Sequence, residues 1–341
     1  MTARVNRRWV LAKRPVGEPT EDCFELEERP IPELAVGEIL VEVHYLSLDP
    51  YMRGRMRDAK SYAEPLKIGE VITGESAGVV VESKSDRWSV GESVTIHQGW
   101  QSHIVVAGDS PALLPADTSL VPLPAWVGVV GMPGRTAYFG LQRVGKPKPG
   151  ETLVVSAASG AVGSVVGQIG KILGLRVVGV AGGPEKCAYC TDELGFDACI
   201  DYKAGALEAD LEAACPKGVD IYFENVGGAV TRAVSRLLND GARVPICGFV
   251  SLYNSEQEMT EVETPFSVFA GLANTPEHRF FLVGEWHDEW LEASRVLAGW
   301  IESGELKYRE TIAEGIESAP AAFRGLLAGK NFGKQLVHVA G

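Results

Sequence analysis

The segment that most restricts the fold is residues 151–174, ETLVVSAASGAVGSVVGQIGKILG. Its start is an apolar run that reads as a buried strand. The run enters a glycine-rich turn, Ala157-Ala158-Ser159-Gly160-Ala161-Val162-Gly163, and then a helix with small residues on one face. A strand that turns tightly into a helix needs a parallel neighbour to return to. The sequence provides it. RVVGVAGG (176–183) reads as a second strand, and PEKCAYCTDELG (184–195) as a helix with Pro184 in its first turn. ACIDY, VDIYFENVGG (219–228), ARVPICGFV (242–250) and RFFLVGEW (279–286) read as further strands, and a helix over 289–306 closes the run. Strands alternating with helices predict an α/β doubly wound parallel sheet covered on both faces.

The first third has a different texture. Residues 38–48 (EILVEVHYLSL), 75–83 (ESAGVVVES) and 92–106 (ESVTIHQGWQSHIVV) are short, rich in Val and Ile, and separated by Gly, Pro and Asp turns. That spacing predicts a small β barrel or sandwich. Helical spacing returns near Pro124, and the final segment ends in an alternating strand. At roughly 150 residues per domain, 341 residues make about two domains. Glycine, 39 of 341, exceeds the usual ~7% without a collagen-like period, so many tight turns are expected. No internal repeat or low-complexity tract is evident.

Between a strand and a helix, the glycine turn points to a dinucleotide. Side chains at Gly160 or Gly163 would keep a pyrophosphate from the amides at the helix N-terminus, which bind the anion together with the helix dipole. Relative to G-x-G-x-x-G, the first glycine is Ala158 here. The competing reading is a glycine turn in another βαβ protein. An NAD-preferring site carries an acid roughly 20 residues on, for the ribose 2′-hydroxyl. Here the second strand ends Val180-Ala181-Gly182-Gly183, with no acid at its tip, and Glu185 is followed at once by Lys186. The missing carboxylate removes the repulsion that would exclude a 2′-phosphate, and Lys186 adds a counter-charge. NADP(H) is therefore favoured over NAD(H), unless Lys186 is only a solvated helix lysine.

Eight motifs then run in order along the chain: LSLDPYMRGRM (46–56), GMPGRTAYFGL (131–141), ETLVVSAASGAVGSVVGQIGK (151–171), VVGVAGGPEKC (177–187), LGFDACIDYK (194–203), YFENVGG (222–228), PICGFVSLYN (245–254) and GKNFGKQLV (329–337). With them the sequence resembles the medium-chain dehydrogenase/reductase superfamily. Within it, the likeness is to the zinc-free branch of leukotriene B4 12-hydroxydehydrogenase/prostaglandin reductases, and above all to the bacterial NADPH-dependent curcumin reductases. The resemblance implies a GroES-like β barrel domain made from both ends, residues 1–124 and 304–341. An inserted Rossmann domain, the doubly wound parallel sheet, would span 125–303, with the active site in the cleft between domains.

Zinc-dependent relatives carry a G-H-E-x-x-G segment and a Cys ligand in the first β-rich region. Aligning Glu75 and Gly78 on that pattern puts Gly74 at the His position, and LSLDPYMRG holds no Cys. Only Cys23 precedes Cys187, so the four-cysteine structural loop is missing too. Tetrahedral zinc needs thiolate and imidazole ligands, so no metal is expected. Cys187-Ala188-Tyr189-Cys190 spells C-x-x-C, but without a second pair it reads as two incidental cysteines.

The resemblance implies reduction of the C=C bond of α,β-unsaturated ketones and aldehydes. Hydride adds at the β-carbon, an enolate forms, a donor stabilises its oxygen, and a proton reaches the α-carbon. Tyr253 is the first choice for that donor; the alternative is a tyrosine that anchors its loop. Tyr51 and Tyr62 are candidates to line the substrate side, or to pack within the barrel. Asn225 is carried over to the nicotinamide end and Met132 to backing the nicotinamide. Lys186 and Tyr202 are carried over to the 2′-phosphate, and Asn331 to the cofactor. Ser159, Gly160, Ala161, Val162, Gly163, Gly182, Gly183, Gly227 and Gly228 are expected near the dinucleotide, as are Cys247, Phe249 and Ser251 through backbone contacts. The six histidines, His44, His97, His103, His278, His287 and His338, form no metal-spaced or catalytic pattern and read as surface or packing residues. A quinone reductase with the same site, a secondary-alcohol dehydrogenase and a non-catalytic NADPH-binding protein are the alternatives.

Charge and composition exclude other classes. A net charge of -13 argues against nucleic-acid binding and against a basic membrane surface. No window approaches about 18 uncharged apolar residues, MTARVNRRWVLAKRP has no apolar core of a signal peptide, and six cysteines make no disulfide scaffold. A cytoplasmic protein with reduced thiols is expected. By analogy it is a homodimer, with 270–284 as an edge strand that needs covering.

Overall fold

The structure is a computed structural model that describes residues 4–59, 63–257 and 261–340. In chain order the strands are β1 (Val5–Leu11), β2 (Phe24–Pro30), β3 (Glu38–Ser47), β4 (Ser76–Ser83), β5 (Ser93–Ile96), β6 (His103–Ala107), β7 (Leu113–Pro115), β8 (Thr152–Ser156), β9 (Arg176–Ala181), β10 (Ala198–Asp201), β11 (Val219–Phe223), β12 (Leu238–Ile246), β13 (Glu277–Phe280), β14 (Glu310–Glu314) and β15 (Lys334–His338). The helices are α1 (Tyr51–Arg55), α2 (Met132–Phe139), α3 (Gly163–Ile172), α4 (Pro184–Ala188), α5 (Leu207–Ala214), α6 (Gly228–Ser235), α7 (Pro265–Ala270), α8 (Trp290–Glu302) and α9 (Ala319–Leu327). They form two compact units, residues 4–128 with 310–340, and residues 129–309.

The first unit is built around β3. It pairs antiparallel with β4, β6 and β15, in a mixed sheet ordered β14-β15-β3-β4-β5-β7. Strands near the chain's end thus complete a sheet begun by its first third, with Leu336 opposite Ser47. Alternate β3 residues Ile39, Val41 and Val43 are fully buried with Val80, Val94 and Ile104, as period-2 side chains on one face must be. Trp100 fills the centre, stacked on Phe24 at 6.0 Å and edge-on to Phe323 at 5.5 Å.

The second unit is a six-stranded parallel sheet, ordered β10-β9-β8-β11-β12-β13. The chain runs outward from β8 through β9 and β10, then starts again on the other side at β11. The switch point therefore lies between β8 and β11, where ligands of such sheets bind at the carboxyl ends. The small face of α3 has a packing cause. A Cβ on Gly167 would lie 1.9 Å from Phe196 Cζ, and one on Gly170 2.8 Å from Leu153 Cδ2.

Two sequence expectations differ. The units meet at 128/129 and 309/310, later than the expected 124/125 and 303/304. The turn Leu123–Val127 packs Val127 and Leu123 beside Ala77, Leu336 and Tyr45 in the first unit. Residues after α8 stay with the second unit, because Gln168 of α3 bonds both the N–H and the carbonyl of Lys307. The strand expected over 279–286 stops at Phe280, and a helical turn, Val283–Glu289, follows. The Glu285 carboxylate accepts the Leu282 N–H at 2.8 Å and the Trp290 indole donates to the Val283 carbonyl, which together stabilise the turn over the strand.

Candidate active site

In the second unit, five strand ends carry the site. The β8 turn brings the chain into α3 through Ala157, which holds a left-handed φ of 51°. That strained position is one residue before Ala158, the expected counterpart of the first glycine. A Cβ on Gly163 would lie 2.3 Å from the Ala157 carbonyl oxygen, so its missing side chain makes room for the turn's own backbone. This adds a packing reason for glycine at 163 beside the expected approach of a ligand. At Gly160 a Cβ meets only that oxygen, at 3.1 Å, so space above it remains. No side chain caps α3, and the Ser164, Val165 and Val166 amides donate to the Gly160 and Val162 carbonyls at 3.0–3.1 Å.

At the tip of β9, Gly182 lies beneath Tyr202 and Lys203. A Cβ there would be 2.8 Å from Tyr202 Cε1 and 3.1 Å from Lys203 Cε. Gly183, at φ 95°, starts α4 and thereby places Lys186. Asp201 accepts the Gly183 and Lys203 amides at 2.8 and 3.0 Å, which locks the two tips together and holds its carboxyl below the usual range. Burial, then the Lys203 ammonium, lowers the Lys186 pKa. Lys186, Lys203 and the exposed Tyr202 thus gather at this tip, with the Asp201 and Glu185 carboxylates beside the lysines. The sequence reading named Lys186 and Tyr202 but missed Lys203. Its one signal was adjacency to Tyr202.

At the ends of β11 and β12 the organising group is Glu224, fully buried. Its carboxylate accepts the Val226 and Gly227 amides at 2.7 and 3.0 Å, the Ser156 hydroxyl at 3.1 Å, and the Thr231 hydroxyl. Its backbone carbonyl accepts the Cys247 amide at 2.9 Å. Asn225 is fixed from the other side of the switch point, its amide N–H on Ser156 Oγ and its Nδ2 on the Ser156 carbonyl, both at 2.8 Å. Gly227 and Gly228 take φ of 83° and 60° under Phe249 and Ser251, and Ser251 Oγ donates to the Val226 carbonyl at 2.6 Å. The Tyr253 hydroxyl lies 2.7 Å from where a Cβ of Gly248 would be, with its ring edge-on to Phe249. Tyr253 thus folds back over its own loop. At the start of α2, Met132 Sδ accepts from Thr136 Oγ1 at 3.6 Å. Glu224 was not singled out from the sequence.

The first unit carries the other expected residues. Tyr51 opens α1 and its hydroxyl is hydrogen-bonded to His97 Nε2 at 2.8 Å. His97, expected as a surface or packing residue, is thus a partner of a candidate catalytic tyrosine. Tyr62 lies outside the described residues. Asn331 Nδ2 donates to the Gly333 carbonyl at 2.7 Å. Gly74 has no room for an imidazole, since even a Cβ would be 2.8 Å from Met52 Cε and 3.3 Å from the Trp100 indole. The residues at that position therefore do not fit zinc. Among the described residues, no three of His, Cys, Asp and Glu form a group that would hold a metal ion.

The C-x-x-C cysteines have a third neighbour, since Cys199 interacts with both Cys187 and Cys190. Burial, then Cys199, pushes the Cys187 thiol up to about 12. The hydrogen bond to Cys190, then burial, raises Cys199 as well. Protonated, desolvated thiols of this kind are unreactive.

Residues 7–114 match the family described as N-terminal domain of oxidoreductase, and residues 161–298 that described as zinc-binding dehydrogenase. The chain is 47% identical over 339 residues to the NADPH-dependent curcumin reductase of Escherichia coli (strain K12), covering 98% of this chain and 97% of that one. It is 42% identical over 332 residues to prostaglandin reductase 1 of Oryctolagus cuniculus, covering 96% and 92%. The crystal structure of CurA in complex with NADPH from Vibrio vulnificus superposes with a TM-score of 0.91 at 47% identity, covering 98% of this chain and 99% of that one. Among the described residues, no helix is long and apolar enough to cross a membrane.

Proposed function

The chain belongs to the medium-chain dehydrogenase/reductase superfamily, in the branch of the curcumin and prostaglandin reductases, and from that premise we propose that it reduces the C=C bond of α,β-unsaturated ketones and aldehydes with NADPH. The observation that carries this reading is the 47% identity to a curcumin reductase over nearly all of both chains. The β9 tip supports the cofactor choice, because Tyr202 and Lys203 cover a glycine where an NAD site would hold an acid, and Lys186 is near enough to Lys203 to feel its charge.

NADPH, when bound, supplies the hydride that adds to the enone β-carbon. The turn that leads into α3, Ser159, Gly160, Ala161, Val162 and Gly163, holds the pyrophosphate beside the helix N-terminus. Lys186, Lys203 and Tyr202 hold the 2′-phosphate at Gly182. Asn225 and Met132 bound the nicotinamide end, with backbone groups of Cys247, Phe249 and Ser251, and Asn331 is read as a further cofactor residue. Tyrosine hydroxyls from Tyr253, Tyr51 and Tyr62 are the donors for the enolate oxygen and the α-carbon. Enolate chemistry needs such a donor and no Lewis acid, which accords with the poor fit of Gly74 to zinc.

We read the protein as a cytoplasmic homodimer. In support, β13 has a hydrogen-bonded neighbour only on its β12 side among the described strands, and such an edge favours a second copy. Phe266 and Leu282, near that edge, are each 38% exposed. A solution mass of one chain by light scattering would overturn the dimer. For the activity, NADPH absorbance is followed with an enone, a quinone and an alcohol series. Consumption with enones is expected, and consumption with quinones but no enone would overturn the reading.

A further inference from the structure

The geometry points to Tyr51 and His97 as a proton path, in which Tyr51 protonates the substrate α-carbon and His97 returns the proton to Tyr51. This rests on the enone-reductase reading. Both backbones are held firmly. Asp49, two residues before Tyr51, is buried, with Lys334 Nζ on its Oδ1 at 2.8 Å and the Ser47 hydroxyl on its other oxygen. Two residues after Tyr51, the buried Arg53 donates to the carbonyls of Pro15 and Gly17 at 3.2 and 2.7 Å. His97 directly follows β5, whose Ile96 is paired with Ser76 and Leu113, and precedes Gly99, whose amide donates to the Gly74 carbonyl at 2.9 Å. From these two anchored positions the phenol and the imidazole meet at 2.8 Å, with rings 25° from parallel.

The two ends of this pair differ in exposure. Tyr51 is half-buried and His97 is open to solvent. A half-buried donor that loses a proton each turnover needs a route to recover it, and an exposed imidazole bonded to the phenol provides one. Tyr253, by contrast, presses its hydroxyl against its own loop at Gly248. The step balances. After hydride addition, the Tyr51 O–H bond breaks as the α-carbon C–H bond forms. The phenolate then takes the Nε2 proton of His97, while Nδ1 takes one from water. The net change is one hydride from NADPH and one proton from solvent.

The test compares wild type with His97→Phe, His97→Gln and Tyr51→Phe, with NADPH and an enone or a quinone. The reads are kcat, KM, the solvent deuterium isotope effect and rescue by added imidazole. His97→Phe is expected to lower kcat by about tenfold or more, to raise the solvent isotope effect, to leave the NADPH KM nearly unchanged, and to recover with imidazole. His97→Gln keeps a group that can bond Tyr51 but has no second nitrogen to pass a proton, so it is expected to fall equally. Tyr51→Phe is expected to fall as far and not recover with imidazole. Full kcat in His97→Gln, or a loss with neither an isotope change nor imidazole rescue, overturns the relay. Wild type that consumes NADPH with quinones but not enones overturns the enone reading, while the relay is then decided on the quinone. Inactivity with both overturns both.

Discussion

The candidate residues of the two units are held in opposite ways. In the second unit, the candidate residues other than Met132 follow the ends of β8, β9, β10, β11 and β12 in sequence. In the first unit, the contacts join segments far apart in sequence: Tyr51 to His97, and Asp49 to Lys334. A parallel sheet delivers its carboxyl ends to one edge by topology alone, whereas a mixed sheet brings together whatever its long-range pairing happens to align. Local turns therefore mark the candidate residues of the second unit, and remote side-chain pairs those of the first.

The strongest test of that contrast is at Gly163. If the second unit's site depends on one local turn, one substitution there removes it. In Gly163→Val the new side chain meets the Ala157 carbonyl oxygen and carbon at 2.3 and 2.9 Å, both backbone atoms. The expected cost is roughly 2–3 kcal/mol of stability, with loss of measurable NADPH binding. Calorimetry and NADPH fluorescence titration check it, and near-normal binding would break the contrast.

Glu224 qualifies the same contrast. It sits in the legible half, yet its carboxylate joins the ends of β8, β11 and α6. Glu224→Gln replaces an acceptor of four donors with a group that turns an N–H toward some of them. The expected loss is about 2 kcal/mol in kcat/KM, with a raised NADPH KM. An unchanged KM would mean that the Asn225 turn is held by Ser156 alone.

Much of the second unit was readable because each of its signals lies within one short segment. The Ala157–Gly163 turn, the acid-free tip at Gly182 and the positive-φ pair Gly227-Gly228 need no knowledge of distant residues. Lys203 was missed because its proximity to Gly182 arises from the β9–β10 pairing, and Glu224 because a buried carboxylate is recognised only by its partners. His97 is exposed, as a surface reading expects, but its bond to Tyr51 was hidden for the same reason: nothing in TIHQGW indicates that α1 lies opposite. A smaller effect sharpens this point. Lys203→Ala is expected to weaken NADPH binding by about tenfold, with NADH binding little changed, and Lys186→Ala to do the same. Equal losses for both nucleotides would contradict a 2′-phosphate at this tip.

The smallest expected effect concerns pH, where the two units should respond with opposite sign. In the first unit Glu310 is desolvated, Lys334 offsets this only in part, and the carboxyl is raised to about 7. Its unfolded value is about 4.3. Between those values the folded state keeps a proton that the unfolded chain has lost, so its contribution is fully present below about pH 4.3 and is lost as pH rises through 7. In the second unit Asp201 is lowered by the Gly183 and Lys203 amides, so its contribution is present above its unfolded value and is lost as pH falls through its folded one. Glu310→Gln removes the first liability and leaves the second. Allowing for partial exposure, it is expected to add about 1 kcal/mol at pH 8, a rise in Tm of roughly 2–4 °C, and almost nothing at pH 4. Melting curves at the two pH values decide it. A gain of equal size at both would mean that Glu310 acts by packing beside Gly128 and not by its charge, and the first unit would lose its distinctive sensitivity to rising pH.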